Sequence, residues 1–251
     1  MSGIQALVFD VDGTLADTER DGHRVAFNRA FADAGLDWEW SVELYAELLS
    51  VTGGKERIRH FLDHHLPDHG IQGDLAAFAA DLHRGKTHHY VAMLETGGIG
   101  LRPGVVRLLD EARADGLRLA IATTTTPENV SSLLRSTLGP ASLDWFEVIG
   151  AGDVVPAKKP APDIYTWVLE RMQLAPGDVV AFEDSGHGVT SAREAGIDRI
   201  LVTVNGYTEG QDFSGAAAVV DQLGEINAPC RLIGGPPVPN GLIDLAYLRA
   251  L

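Results

Sequence analysis

Asp10 and Asp12, which are separated by one residue, are the strongest candidates for catalytic residues in the sequence. They follow an apolar run at residues 4–9 with the length of a buried parallel strand, and Gly13 then permits a turn. Ligands of open α/β sheets bind beyond the carboxyl ends of the strands. A carboxylate is ionised at neutral pH, so Asp10 can act as a nucleophile without an activating base. The alternative is a solvated acidic turn.

Polar groups also follow three other predicted strands. Four threonines occupy residues 123–126, a lysine pair occupies 158–159, and Glu183 and Asp184 end a third run. Each group has an ordinary structural explanation, since threonines and acids cap helices and lysines are common in solvated loops. Because parallel strands end at one edge of a sheet, the sequence predicts that these groups meet the two aspartates.

The elements that must position these groups alternate between helix and strand from residue 103 onwards. The predicted strands are 117–122, 146–149, 179–182 and 200–204, and the predicted helices are 105–114, 127–138, 162–172 and 190–195. This alternation predicts an α/β fold with a Rossmann-like parallel sheet and crossover helices. Residues 216–223 fit a strand or a helix, 234–239 predict no regular structure, and 242–251 predict a helix.

A helical insertion separates the first strand from the others. Helical patterns cover residues 41–50, 54–66 and 74–93, and 95–100 is a glycine-rich linker. The prediction is therefore a discontinuous core of residues 1–17 and 99–251 with an all-helical cap of residues 18–98. Residues 227–251 are predicted to be a C-terminal extension that packs on the core.

The chain is strongly acidic, with a net charge of −15 from 20 Lys+Arg and 35 Asp+Glu. Such a surface repels nucleic acid and anionic membranes, so neither is a predicted partner. A small anionic substrate would need clustered cations or a metal ion. Cys230 is the single cysteine, and the sequence contains neither a targeting pattern nor a membrane-length apolar run. These features predict a cytoplasmic protein, which we expect to be a monomer.

The polar groups together resemble the motif set of the haloacid dehalogenase superfamily of phosphotransferases. The matching positions are Asp10-Val11-Asp12-Gly13-Thr14, Thr123, Lys159 and Glu183-Asp184. The helical insertion resembles the type 1 cap of that superfamily. Residues 18–28, 48–57 and 83–86 resemble the CbbY family. The resemblance implies a phosphatase for small sugar bisphosphates, notably xylulose 1,5-bisphosphate, an inhibitor of Rubisco.

The resemblance also implies roles for the motif residues. Asp10 would form an aspartyl-phosphate intermediate, and Asp12 would protonate the leaving alcohol and later take a proton from water. That acid role predicts a raised pKa for Asp12. Thr123 would bind the transferring phosphoryl oxygens, and Lys159 would offset their charge.

A magnesium ion is the implied cofactor, since an oxygen-only site suits a hard cation. The implied protein ligands are the Asp10 carboxylate, the main-chain carbonyl of Asp12 and the Asp184 carboxylate. Glu183 would act through water.

The cap supplies the cations that the net charge makes necessary. We predict that a cap group binds a second phosphate, that Glu19 and Tyr45 contact sugar hydroxyls, and that core side chains complete the substrate site; the alternative for the cations is a solvated surface. The cap phosphate candidates are Gly53, Gly54, Lys55, Arg57, His83, Arg84 and Lys86, and the core candidates are Thr123, Thr124, Asn129 and Lys159.

Two other activities stay open. A β-phosphoglucomutase-like sugar phosphomutase shares the motifs and the cap, and such mutases usually carry a histidine about a dozen residues after the nucleophile. Gly22 stands nearest to that spacing and His23 one residue further on, which weakens the mutase alternative. The third candidate is a non-catalytic sugar-phosphate-binding domain, against which the intact motif set argues.

Overall fold

A seven-stranded sheet forms the centre of the computed structural model, which describes residues 3–251. Its strands are β1 (Ala6–Phe9), β2 (Arg118–Ala122), β3 (Phe146–Gly150), β4 (Val179–Glu183), β5 (Ile200–Thr203), β6 (Ala218–Val220) and β7 (Leu232–Gly234). They lie in the order β3-β2-β1-β4-β5-β6-β7. All neighbouring pairs are parallel except β6 with β7. Strand β1 therefore lies inside the sheet between β2 and β4, and the residues after it lie away from both ends of the carboxyl edge.

The α-helices of the described chain fall into two groups. Four form the helical insertion that follows β1: α1 (Arg24–Asp33), α2 (Val42–Leu48), α3 (Gly54–His65) and α4 (Leu75–Glu95). The others are α5 (Val105–Ala114), α6 (Pro127–Leu138), α7 (Asp163–Met172), α8 (Gly186–Glu194) and α9 (Leu245–Ala250). The prediction of a parallel-sheet core with an inserted helical cap is confirmed, while the residue boundaries of the domains stay a prediction.

Alternate residues of β1 bury against opposite faces of the sheet. Leu7 and Phe9 belong to one hydrophobic cluster, and Ala6 and Val8 belong to the other. A strand covered on both faces must be apolar throughout, which explains the continuous apolar run in the sequence. The cap has its own core, in which Trp40 is fully buried among aromatic side chains.

The register between β1 and β4 positions the catalytic edge. Phe9 is paired with Phe182, their rings stack with centroids 4.4 Å apart, and the Asp10 amide donates to the Phe182 carbonyl at 2.9 Å. Asp10 consequently lies beside Glu183, the last residue of β4. The sequence predicted this juxtaposition from the two apolar runs alone.

The C-terminal part differs in detail from the sequence prediction. Residues 218–220 form a strand, which decides between the two alternatives for 216–223. The prediction of irregular structure from residue 234 is wrong at Gly234, because this residue ends β7 and pairs with Val219 of β6. Helix α9 is shorter than the predicted helix because it begins only after Asp244, whose side chain accepts a hydrogen bond from the Tyr247 amide.

Helix α8 begins earlier than predicted. Its first residue is Gly186, because the Ser185 side chain caps the helix by accepting from the Gly188 amide. Buried Leu245 and Leu248 of α9 join the same cluster as Leu7, so the C-terminal segment packs on the core. Within residues 3–251, the helices lack the combined length and apolar character that a membrane span requires.

Candidate active site

Asp10 and Lys159 form a buried ion pair at the carboxyl edge of the sheet. The Lys159 ammonium donates to Oδ1 of Asp10 at 2.8 Å and to Oε1 of Glu183 at 2.6 Å. The Tyr165 hydroxyl donates to the same Glu183 oxygen at 2.5 Å. All four side chains are buried, so their mutual distances are fixed by the packing of the core. The neighbouring Lys158 instead donates to Oδ1 of Asp153 at 2.6 Å.

The carboxylates of Asp10, Glu183 and Asp184 form an acidic cluster whose oxygens lie within 4.8 Å of one another. Oε2 of Glu183 is buried without a hydrogen-bond partner in the described chain. A buried carboxylate oxygen left unsatisfied is costly, and a hard cation with oxygen ligands would satisfy it. The donor set therefore fits Mg²⁺.

The electrostatics of the acidic cluster agree with a cation site. Burial raises the pKa of Asp10 to about 7, with Lys159 opposing the shift and Glu183 adding to it. Burial also raises the pKa of Asp184 well above its usual value, and the charges of Asp10 and Glu183 act in the same direction. A bound divalent cation would favour the ionised carboxylates and return Asp10 to the form that a nucleophile needs.

The pKa prediction for Asp12 is wrong. Burial alone would raise it, but the charge of His23 and hydrogen bonds from His23 and Thr18 outweigh burial and hold the pKa well below its usual range. Thr18 Oγ1 lies 2.5 Å and His23 Nε2 lies 2.8 Å from Oδ1 of Asp12. An ionised carboxylate only accepts hydrogen bonds, so Nε2 of His23 is the donor.

A single π-helical turn explains how His23 reaches Asp12. Residues Glu19–His23 form this turn, and the His23 amide donates to the Thr18 carbonyl at 2.7 Å, five residues back. A π-turn accommodates one more residue than an α-turn. From this turn the side chain of His23 reaches Oδ1 of Asp12. His23, whose position in the sequence weakened the mutase alternative without excluding it, does contact the second aspartate.

The acidic cluster opens into a cavity of about 500 Å³ between the core and the cap. Its core walls include Asp12, Thr123 and Thr124, and its cap walls include Glu19 and Arg57. These five predicted site residues are thus brought to one space with Asp10, Lys159, Glu183 and Asp184. Cap residues thus form part of the wall beside the carboxylates, where they can contact a bound substrate.

Tyr45 lies behind the cavity wall and orients two residues of that wall, Glu19 and Arg57. Its buried hydroxyl donates to Oε2 of Glu19 at 2.5 Å and accepts from Nη1 of Arg57 at 2.9 Å. Arg57 is itself buried and also donates to the Leu48 carbonyl at 3.2 Å. Tyr45 therefore fixes a carboxylate and a guanidinium that face the cavity.

Four of the other phosphate candidates of the cap line a neighbouring cavity of about 360 Å³. Gly53, Gly54, Lys55 and His83 line it, and Thr124 lines both cavities. The Lys55 ammonium lies 2.5 Å from Oδ2 of Asp153, an ion pair that joins the cap to the core. The structure thus separates Lys55 from Arg57, although the two residues stand on the same helix.

Three further candidates lie away from the described cavity walls. The Lys86 ammonium is buried over the rings of Phe27 and Tyr90, and burial lowers its pKa to about 8. Asn129 is buried and donates to the Thr125 hydroxyl at 2.9 Å. Arg84 forms an exposed ion pair with Asp81.

Several residues that complete the site are not among those predicted from the sequence. Thr18 donates to Asp12 and Tyr165 donates to Glu183, and Asn205 Nδ2 donates to Oδ2 of Asp184 at 2.7 Å. Tyr207 lines the catalytic cavity and packs against Tyr45 with ring centroids 6.0 Å apart. One signal was available, since Asn205 directly follows a predicted strand at the same edge of the sheet.

His83 gives a pH-dependent prediction. Burial, followed by the charges of Lys86 and Lys55, lowers its pKa to about 3, so it would bind a phosphate as a neutral donor. The unfolded histidine has a pKa of about 6.5 and binds more protons than the folded one below that pH, so stability falls as pH drops. Between pH 7 and pH 5, we expect the free energy of unfolding of the wild type to fall by about 1–2 kcal/mol more than that of His83→Gln. Urea unfolding at the two pH values measures this difference. An equal fall in the free energy of unfolding of the two proteins would contradict the lowered pKa of His83.

The comparison with known families agrees with this geometry. The family model of haloacid dehalogenase-like hydrolases matches residues 4–196, which include the strand ends and the cap. Protein CbbY of Rhodobacter capsulatus is 52% identical over 213 residues, or 85% of this chain and 91% of that protein. The plasmid-encoded CbbY of Cupriavidus necator is 46% identical over 98% of this chain and 96% of its own.

The chain belongs to the CbbY family of haloacid dehalogenase-like hydrolases. The solved structure of the D10N variant of CbbY from Rhodobacter sphaeroides, in complex with xylulose 1,5-bisphosphate, is similar over 89% of this chain and 96% of that one. The TM-score is 0.81 and the sequence identity is 46%. As a member of this family the chain is a phosphatase, and the predicted family, fold and enzyme class are confirmed.

Proposed function

We propose that this CbbY-family protein is a Mg²⁺-dependent phosphatase that hydrolyses one phosphate ester of xylulose 1,5-bisphosphate through an aspartyl-phosphate. The observation that carries the proposal is the cap-covered cavity in which Asp10, Lys159 and the acidic cluster meet. The complex of the related CbbY with xylulose 1,5-bisphosphate supports the choice of sugar.

The side chains of the cavity divide the work of phosphoryl transfer. The Asp10 carboxylate attacks phosphorus, and the ester oxygen of the sugar leaves with the proton that Asp12 supplies. Lys159 and Thr123 stabilise the charge of the transferring oxygens. A Mg²⁺ ion held by Asp10, Asp184 and the Asp12 carbonyl, with Glu183 nearby, would neutralise phosphate charge. Because Thr18 and His23 hold Asp12 ionised in the free protein, Asp12 must take up a proton from solvent before it can act as the acid.

The second phosphate of the substrate would occupy the neighbouring cavity. Thr124 borders both cavities, so one sugar bisphosphate molecule can extend from the first cavity into the second. Helix α3 begins at Gly54 beside Lys55, and a helix N-terminus with a nearby lysine favours an anion. The Lys55–Asp153 pair is partly exposed, so it contributes little to stability and a phosphate can displace the carboxylate.

This arrangement predicts a substrate-dependent effect of Lys55→Ala. We expect its KM for xylulose 1,5-bisphosphate to rise roughly 10- to 100-fold, because a charged hydrogen bond to the second phosphate is lost. Its KM for the monophosphate substrate p-nitrophenyl phosphate should change less than about twofold, since that substrate has nothing in the second cavity.

Arg84→Ala is the matched control for Lys55→Ala. It removes another cap cation, one whose ion pair with Asp81 is exposed. We expect unchanged KM values for both substrates. If Lys55→Ala has an unchanged KM for the bisphosphate, Lys55 does not bind the second phosphate of the substrate.

Phosphate release across a set of substrates tests the function itself. The set is xylulose 1,5-bisphosphate, ribulose 1,5-bisphosphate, fructose 1,6-bisphosphate and glucose 1-phosphate, each with and without Mg²⁺. We expect the highest kcat/KM for xylulose 1,5-bisphosphate and loss of turnover in EDTA. Release at background rates from all four compounds would refute the proposal.

The contact between His23 and Asp12 favours a sugar phosphomutase as the second candidate. A histidine that holds the second aspartate can delay its action on a phosphoenzyme, which is what a mutase needs. The test is the fate of glucose 1-phosphate and related sugar 1-phosphates. Isomerisation without release of inorganic phosphate would indicate a mutase, and one phosphate released per bisphosphate consumed would indicate the phosphatase.

Cytoplasmic location and a monomeric state stay predictions from the sequence.

A further inference from the structure

Arg102 joins three separate segments of the core close to the acidic cluster. Its guanidinium donates to the main-chain carbonyls of Gly13, Val204 and Asp221, the last two at 2.6 Å. Val204 directly follows β5 and Asp221 directly follows β6, so both carbonyls lie at the carboxyl edge of the sheet. The Arg102 amide also donates to the Leu15 carbonyl at 2.8 Å, which holds the arginine against the loop after β1.

Two of the segments that Arg102 holds lie against Asp184. Gly13 has a φ of +83°, and a Cβ built there would overlap the side chains of Asp184 and Asn205. Val204 precedes Asn205, whose amide nitrogen donates to Oδ2 of Asp184 at 2.7 Å. The Asp184 carboxylate is thus fixed between the Gly13 backbone and the Asn205 side chain, and Arg102 fixes both of these in turn.

We propose that Arg102 and Asn205 are positioning residues for the divalent cation of the acidic cluster. The proposal rests on the proposed function, which needs a cation at Asp10 and Asp184. A guanidinium can donate to several carbonyls at fixed angles, whereas a lysine ammonium is a flexible point charge. Groups that orient metal ligands typically change metal affinity or activity by about 10- to 100-fold when they are replaced.

Arg107 provides a matched control. Its guanidinium also donates to three main-chain carbonyls, those of Leu223, Gly224 and Ile243, each at 3.0 Å. These carbonyls belong to the C-terminal part of the core and adjoin none of the carboxylates of the acidic cluster. Replacing Arg107 therefore removes an equivalent backbone cross-link without disturbing the support of Asp184.

The experiment is a titration with Mn²⁺ as the probe, followed by electron paramagnetic resonance of the free ion. We expect Arg102→Lys and Asn205→Ala to raise the Mn²⁺ dissociation constant about 10- to 100-fold, and Arg107→Lys to change it less than twofold. In assays with p-nitrophenyl phosphate at saturating Mg²⁺, the KM of the first two variants should stay within about threefold of the wild type. Thermal unfolding of all three variants reports the general structural cost separately.

Each outcome has a defined meaning. Wild-type Mn²⁺ affinity in Arg102→Lys and Asn205→Ala would overturn the inference, even if their activity falls. Should Arg102→Lys fail to fold, Asn205→Ala decides, because it removes the direct hydrogen bond to Asp184 and otherwise only the local bond that Oδ1 of Asn205 accepts from the Tyr207 amide. A wild-type protein that releases phosphate but binds no Mn²⁺ would contradict the metal dependence in the proposed function, which is a different failure.

Discussion

Asp10→Asn is expected to lower kcat by about 10⁴-fold or more while the protein stays folded and still binds its substrate. The carboxylate oxygen that attacks phosphorus is replaced by an amide, which is a very poor nucleophile. The measurement is phosphate release from xylulose 1,5-bisphosphate under saturating conditions, together with calorimetric binding of the same compound. Intact binding separates loss of the nucleophile from collapse of the cavity.

The stability of Asp10→Asn gives an independent check. Burial raises the pKa of Asp10 to about 7, so ionising this carboxyl opposes folding in metal-free buffer, and the nearby charge of Glu183 adds to the effect. The neutral amide removes that repulsion. We therefore expect a Tm equal to or above that of the wild type in EDTA. A variant that retains more than a hundredth of the wild-type kcat would show that Asp10 is not the nucleophile.

The edge of the sheet was predictable because the β1 and β4 runs are apolar throughout. Such strands are buried on both faces, and parallel pairing then brings their carboxyl ends together. Phe9 pairs with Phe182, which leaves Asp10 and Glu183 side by side. The acidic cluster thus follows from strand length and hydrophobic pattern.

The contacts of the cap were not predictable in the same way. The position of His23 depends on a π-turn of residues Glu19–His23, and no residue type signals an inserted π-turn in a single sequence. Its consequence is large, since the pKa of Asp12 moves in the opposite direction to the prediction.

The division of the cap cations could have been anticipated. Lys55 and Arg57 stand two positions apart on α3, and such residues point to different sides of a helix. They therefore cannot easily share one phosphate. Arg57 faces the catalytic cavity and Lys55 faces its neighbour, so the helix can contact both ends of one elongated substrate.

Lys159→Met is the second change for which we expect a large effect, in this case on both stability and catalysis. Removing the ammonium leaves the buried Asp10 and Glu183 carboxylates without their cation, which typically costs about 3–5 kcal/mol. Loss of the positive charge that stabilises the transferring phosphoryl group should also lower kcat about 10²- to 10³-fold. Thermal unfolding and turnover of p-nitrophenyl phosphate measure the two effects.

Lys158→Met is the control, because it removes the adjacent lysine with the same change of charge and volume. Lys158 pairs with the largely exposed Asp153 and donates to the Gly152 carbonyl, so its loss should cost less stability than the loss of Lys159, which holds two buried carboxylates. With a monophosphate substrate its kcat should stay close to that of the wild type. Lys159→Met in turn should recover part of its lost Tm when Mg²⁺ is added, since a cation in the acidic cluster replaces some of the missing positive charge. Equal Tm and kcat in the two lysine variants would mean that Lys159 contributes no more than Lys158, and the proposed charge balance of the cavity would be wrong.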